Sequence, residues 1–144
     1  MVQPEEPDAI DRDLDLGRLL DALADGALRA IVPGASGDEP VLRYLDVEER
    51  VLFDRVDRLL SDGPDLTAAA RRRHRHLLGA RRDGEDDRWH DLLREHVDTQ
   101  RRVLYPKLLR ALDERGRTEL AGALEEARLS REEADVPTSL PLEP

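Results

Sequence analysis

The sequence predicts an all-α protein, an antiparallel four-helix bundle with a short fifth helix at its C-terminal end. Leu, Ala, Arg, Glu and Asp dominate the composition, a mixture that favours helix. Aromatic residues make up only 3% of the chain, which leaves little of the material from which sheets are built. Apolar residues recur at helical spacing in four long stretches separated by Pro- and Gly-containing breaks. At 144 residues the chain is most simply one domain, long enough to bury about two thirds of its unfolded surface.

Residues 1–10 hold two prolines and read as a loose arm. The first helix is expected to start near Asp11 to Asp13, where acidic side chains suit the positive end of the helix dipole. Leu16, Leu19, Leu20, Leu23 and Leu28 then recur on one side until "PGASGDEP", 33–40, ends the pattern. A second helix, roughly 41–61, carries Val41, Leu45, Leu52, Val56 and Leu59 and stops at "SDGPD". The third runs from about Asp65, a good N-cap, to "DGEDD", 83–87. A fourth covers about 86–114, and a shorter amphipathic piece, "TELAGALEEARL", follows. The folded bundle is thus expected over 11–131, with a Pro-rich disordered tail over 132–144.

Charge and composition narrow the function. The formal net charge of −10 works against general affinity for nucleic acid or for anionic lipid. With no cysteine, disulfides, zinc–thiolate sites and thiol nucleophiles are excluded, and a reducing cytoplasm is expected. The start "MVQPEEPDAIDRD" is acidic where a signal peptide would be basic and then apolar, and no apolar run approaches the ~18 residues of a membrane span. There is no "GxSxG" elbow and no glycine-rich phosphate loop, so hydrolase and nucleotide-binding readings have no support.

Sliding the chain against itself by 52 residues lays "YLDVEERVLFDRVDRLL", 44–60, over "HVDTQRRVLYPKLLRAL", 96–112. Asp46 meets Asp98, Arg50 meets Arg102, Val51 and Leu52 meet Val103 and Leu104, and Phe53 meets Tyr105. This reads as a duplicated helix–loop–helix unit.

These segments resemble the hemerythrin-like (HHE cation-binding) family, whose second and fourth helices carry His, three residues, Glu, and then an apolar stretch ending near Pro. "HVDTQRRVLYP" supplies His96 and the ending Val103, Leu104, Tyr105, Pro106; "YLDVEERVLFD" supplies the acidic pair Glu48 and Glu49 and the ending Val51, Leu52, Phe53. The resemblance spans roughly residues 11–114 and implies a duplicated four-helix bundle around a non-haem di-iron centre. It makes Pro106 the family's helix-four proline, carried with a local kink. Departures accompany the matches. Tyr44 stands where the second helix should present histidine, Gln100 where the fourth should present glutamate, and the first helix has no histidine. In the third helix His74 is retained, while its expected partner is Leu78.

At about 100° per residue His96 falls between Leu92 and Trp89, with Gln100 on the same side, and His74 falls between Leu77 and Leu78. Both histidines should face the core and His76 should not. Glu48 and Glu49 bracket the apolar face of the second helix and periodicity does not choose between them; the resemblance favours Glu48. A di-iron site needs about six or seven converging ligands, more than this chain offers. The leading expectation is therefore a bacterial cytoplasmic bundle in which His96, Gln100, Tyr44 and Glu48 form a hydrogen-bonded polar layer, with no cofactor. It would not be an enzyme but a structural or regulatory module with an unidentified protein partner. The competing expectation keeps a single iron or other divalent metal on Glu48, His74 and His96, with Tyr44 and Gln100 supporting the ligands. His90 reads as a surface residue near a helix start. The run "RRRHR", 71–75, reads as a solvated basic stripe, with an acidic docking partner as the alternative.

Overall fold

The computed structural model describes residues 5–32 and 37–135, and side-chain surroundings for 16–32 and 37–127. The described residues contain helix and connecting turns and no strand. Five helical rods follow one another. Helix α1 spans Glu5–Arg29. The second rod consists of α2 (Glu39–Val47), a π turn over Glu48–Leu52, and α3 (Phe53–Leu59). Helix α4 spans Gly63–Arg82. The fourth rod consists of α5 (Asp86–Thr99), a second π turn over Gln100–Leu104, and α6 (Tyr105–Ala111). Helix α7 spans Glu114–Asp135.

Local chemistry sets most of these boundaries. Pro40 and Pro64 sit in the first turns of α2 and α4, where a missing N–H costs nothing. Leu60 and Leu112 end the second and fourth rods by turning extended, with ψ of 139° and 135°. Gly84, at φ +76°, makes the reversal between α4 and α5. Gly63 is demanded by proximity, since a Cβ there would lie 2.1 Å from the carbonyl oxygen of Val56.

Several boundaries differ from expectation. Helix α1 begins at Glu5 rather than at 11–13, so part of the expected arm is helical, and residues 1–4 lie outside the described residues. The fourth rod stops at Ala111, because Leu112 turns extended before the chain reaches Gly116. The last helix is not short. It has 22 residues, reaches past the expected end of the bundle to Asp135, and packs against α1, α2 and the first π turn. The rest of the expected disordered tail, 136–144, lies outside the described residues.

The two π turns explain a feature of the sequence. Tyr44, Glu48, Leu52 and Val56 are all buried, as are His96, Gln100, Leu104, Leu108 and Leu112. A spacing of four drifts steadily around a helix of 3.6 residues per turn. At each π turn an N–H reaches back five residues, from Phe53 to Glu48 and from Tyr105 to Gln100, and the wider turn returns the stripe to the core. The two turns are offset by 52 residues, the period of the internal repeat. Pro106 does not cause the turn in the second half, since Asp54 holds the equivalent place in the first and the turn is there too.

The apolar core divides into two clusters. One joins Leu16, Leu20, Leu52, Phe53, Leu104, Leu108, Leu120 and Leu124 among others; the second joins Ala24, Ile31, Val41, Leu45, Leu77, Trp89, Leu93 and Val97. The first four rods run between the clusters in alternating directions, and the described side chains of α7 join the first cluster. Between the clusters lies a polar layer of Glu48, His74, His96 and Gln100, each no more than 1% exposed.

Since Leu120 is fully buried beside Leu16 and Leu52, Leu120→Ala should destabilise the protein by about 2–5 kcal/mol in urea unfolding. The exposed Thr118→Ala should stay within about 0.5 kcal/mol. A Leu120→Ala cost no larger than that of Thr118→Ala would mean that α7 is an appendage.

Candidate functional site

Glu48 opens the first π turn and Gln100 the second, so the repeat places an acid and its amide at matching points of two neighbouring rods. Tyr44 and His96 stand one turn earlier in the same two rods, again matched by the repeat. Helix α4 supplies His74 from the facing side. The Glu48 carboxylate is the centre. Its Oε1 accepts from His96 Nε2 at 2.7 Å and from His74 Nε2 at 2.9 Å. Its Oε2 accepts from Gln100 Nε2 at 2.6 Å and from the Tyr105 hydroxyl at 2.7 Å. Four donors fill about four lone-pair positions, so the carboxylate is fully satisfied.

The outer contacts fix the polarity of this network. Arg73 donates through Nε to His96 Nδ1 at 2.9 Å and through Nη2 to Gln100 Oε1 at 3.1 Å. A guanidinium has only donors. His96 Nδ1 must then be the bare nitrogen, Nε2 carries the proton, and the Gln100 amide is oriented with its NH2 toward Glu48. His74 has carboxylates on both sides, Glu48 on Nε2 and Glu49 Oε2 on Nδ1 at 2.6 Å. Since Tyr105 gives its proton to Glu48, the hydroxyl of Tyr44, 2.8 Å away, donates to Tyr105.

Electrostatics keep the centre of this network ionised. Burial alone pushes the Glu48 carboxyl up, yet the adjoining imidazoles of His96 and His74 outweigh it and hold the group far below the usual carboxylate range. Burial, reinforced by the negative charge of Glu48, pushes the Tyr44 and Tyr105 phenols well above their ordinary value, so both remain protonated donors. Half-buried Arg73 is shifted down by burial and supported by the charge of Glu48, and it remains a guanidinium.

Of the residues singled out from the sequence, Glu48, His74 and His96 converge, with one potential ligand atom from each lying within 4.8 Å of the others. Glu48, not Glu49, faces the core; Glu49 is half-exposed and backs His74. Gln100 touches Glu48 directly, whereas Tyr44 reaches it only through Tyr105. His76 is exposed, and His90 is half-buried with its ring edge on Trp89, centroids 4.6 Å apart. Two residues escaped the sequence reading. Tyr105 was visible only as the end of a motif, and Arg73 was counted in the solvated stripe. A helical wheel does place Arg73 between Leu77 and Ala80 on the buried side of α4.

The donor set does not fit a metal in this arrangement. A di-iron centre lacks ligands, because Tyr44 and Gln100 hold two of the expected positions as neutral donors. For a single ion, His96 Nε2 would have to offer a lone pair, and the hydrogen bond from Arg73 leaves the ring proton there. Both oxygens of Glu48 are already fully engaged. No family model matches the chain, and no curated protein or solved structure matches it significantly.

Glu48→Gln should cost about 3–5 kcal/mol at pH 7, because it breaks the charged acceptor on which four buried donors converge. A carboxyl whose folded pKa is depressed stabilises fully above its unfolded value of about 4.3 and loses that stabilisation as pH falls through the folded value. The stability gap between wild type and Glu48→Gln should therefore narrow as urea unfolding is repeated from pH ~5 downwards. A gap independent of pH would mean that Glu48 is not ionised in the fold. Among the tyrosines, Tyr105→Phe should cost about 1–3 kcal/mol, since it takes a donor from Glu48 and the acceptor from Tyr44. Tyr44→Phe, which removes only the outermost donor, should cost about 0.5–1.5 kcal/mol, and the reverse order would contradict the donor chain.

Proposed function

We propose that this chain is a degenerate hemerythrin-like four-helix bundle of the bacterial cytoplasm, extended by α7, that acts as a non-catalytic structural or regulatory interaction module. The observation that carries the reading is the Glu48 carboxylate, whose two oxygens each take two protein donors within 2.9 Å. Such a centre is complete without a ligand. Burial supports the same view, because Glu48, His74, His96 and Gln100 are sealed from solvent and a substrate has no contact with them. The matched π turns and the alternating rods support a duplicated bundle. No helix among the described residues is long and apolar enough to cross a membrane, which suits the proposed location.

An interaction role then falls to the surface. On the outer face of α4, Arg72, Arg75 and His76 are exposed, and no described acid forms an ion pair with either arginine. On a chain of net charge −10 this face favours an acidic protein partner.

A second reading, one iron or other divalent ion on Glu48, His74 and His96, is favoured by their convergence within 4.8 Å. It requires Arg73 to leave His96. Metal analysis of untagged protein from iron-supplemented cells, read with the visible spectrum, separates the two. The closed-core reading expects folded protein with far less than one iron per chain and no visible band; near-stoichiometric iron would overturn it.

A further inference from the structure

The two core histidines are backed by groups of opposite hydrogen-bonding sense. Behind His74 Nδ1 stands the Glu49 carboxylate, an acceptor at 2.6 Å. Behind His96 Nδ1 stands the Arg73 guanidinium, a donor at 2.9 Å. A carboxylate behind an imidazole is what a metal-ligating histidine uses, since it holds the proton on the outer nitrogen and leaves the inner one bare. His74 and Glu49 are thus built as a ligand and its support. His96 has the reverse arrangement, and the same guanidinium turns Gln100 by bonding its Oε1 at 3.1 Å. One side chain therefore aims two of the four donors at Glu48.

We infer that Arg73 is a latch: its guanidinium holds His96 in the tautomer that cannot ligate, and its removal opens a divalent-cation site on Glu48, His74 and His96. This rests on the closed-core reading of the wild-type chain. Three features make the latch separable from the fold. Arg73 is half-buried and belongs to neither apolar cluster, so it can leave without removing a member of either. Glu48 and the inner nitrogens of both rings already converge. The backbone hydrogen bonds of the π turns and the Tyr105 hydroxyl hold the layer independently of Arg73, whose one contact with a π turn is the side-chain oxygen of Gln100.

The test is titration of the full-length protein with cobalt(II), whose visible bands report an ordered nitrogen and oxygen shell, for wild type, Arg73→Gln, Arg73→Glu and Arg72→Glu. Arg72 neighbours Arg73 but is exposed, so its substitution makes the same charge change without touching His96. Both Arg73 variants should bind one equivalent about 10–100-fold more tightly than wild type and Arg72→Glu, the change expected when a ligand's support is altered. Adding His96→Leu to Arg73→Gln should abolish the bands. Folded Arg73 variants that bind no better than Arg72→Glu would overturn the latch while leaving the closed core standing. Tight stoichiometric binding by wild type would overturn both. Should the variants fail to fold, nitrogen NMR of the His96 ring in wild type still decides. A bare Nδ1 with the proton on Nε2 is expected, and a proton on Nδ1 would refute the latch.

Discussion

A single carboxylate at the middle of the core constrains everything around it. Moving an ionised Glu48 out of water costs several kcal/mol, and the cost is met only if its oxygens are saturated and an opposite charge lies close by. The protein supplies the donors from two rods, two imidazoles, an amide and a phenol each at 2.6–2.9 Å, and sets the Arg73 guanidinium behind His96 as the nearby positive charge. Those four contacts fix the rotation of α4 and of the fourth rod relative to the first π turn. Sliding any rod by one residue would leave the carboxylate short of a donor while also breaking an apolar cluster on either side. The layer thus acts as a register mark, and its cost is exchanged for a unique alignment of long Leu-rich helices that would otherwise tolerate several.

The backbone is symmetric and the chemistry is not. The π turns, the helices after them and the extended residues that end the rods recur at one offset. Onto this frame are placed Tyr44 against His96, Glu48 against Gln100, and Phe53 against Tyr105. Each pair differs by the presence or direction of a hydrogen bond. Had both halves carried glutamate, two carboxylates would meet without a cation between them, and one would be forced to hold a proton. With glutamine in the second half, the amide becomes a donor to the remaining acid. The tyrosines extend the same logic outward: Phe53 makes only ring contacts, with His74 and the Arg71 guanidinium, whereas Tyr105 donates its hydroxyl to Glu48 and accepts from Tyr44.

Much of this was readable from the residues alone, and the parts that were not have physical reasons. Leu and Ala at helical spacing, with Pro40, Pro64 and Gly84 at the breaks, located the helices. The inward direction of His74 and His96 followed from the wheel. The choice between Glu48 and Glu49 did not, because both lie in a π turn where 100° per residue no longer holds. The run of four-residue spacings through 44, 48, 52 and 56 was the available sign of that turn. Arg73 escaped because arginine in a basic run is expected in solvent, although its wheel position lies inside the apolar arc. The extent of α7 was hidden by its charged first and last turns, which resemble a solvated tail; among its described side chains Leu120, Leu124 and Ala127, at spacings of four and three, mark the buried face.

The contrast between His74 and His96 shows how much the group behind an imidazole decides. Both rings point a nitrogen at the same oxygen, their centroids 4.7 Å apart. What distinguishes them lies behind the ring, an acceptor in one case and a donor in the other. A guanidinium also balances charge: it brings one positive charge to the rim of a layer that holds Glu48 and Glu49, a role otherwise open to a cation at the centre. The difference is that a guanidinium is part of the chain, available as soon as the helices pack and independent of any supply of metal. A fold that needs its polar layer for alignment gains from a charge that is always present.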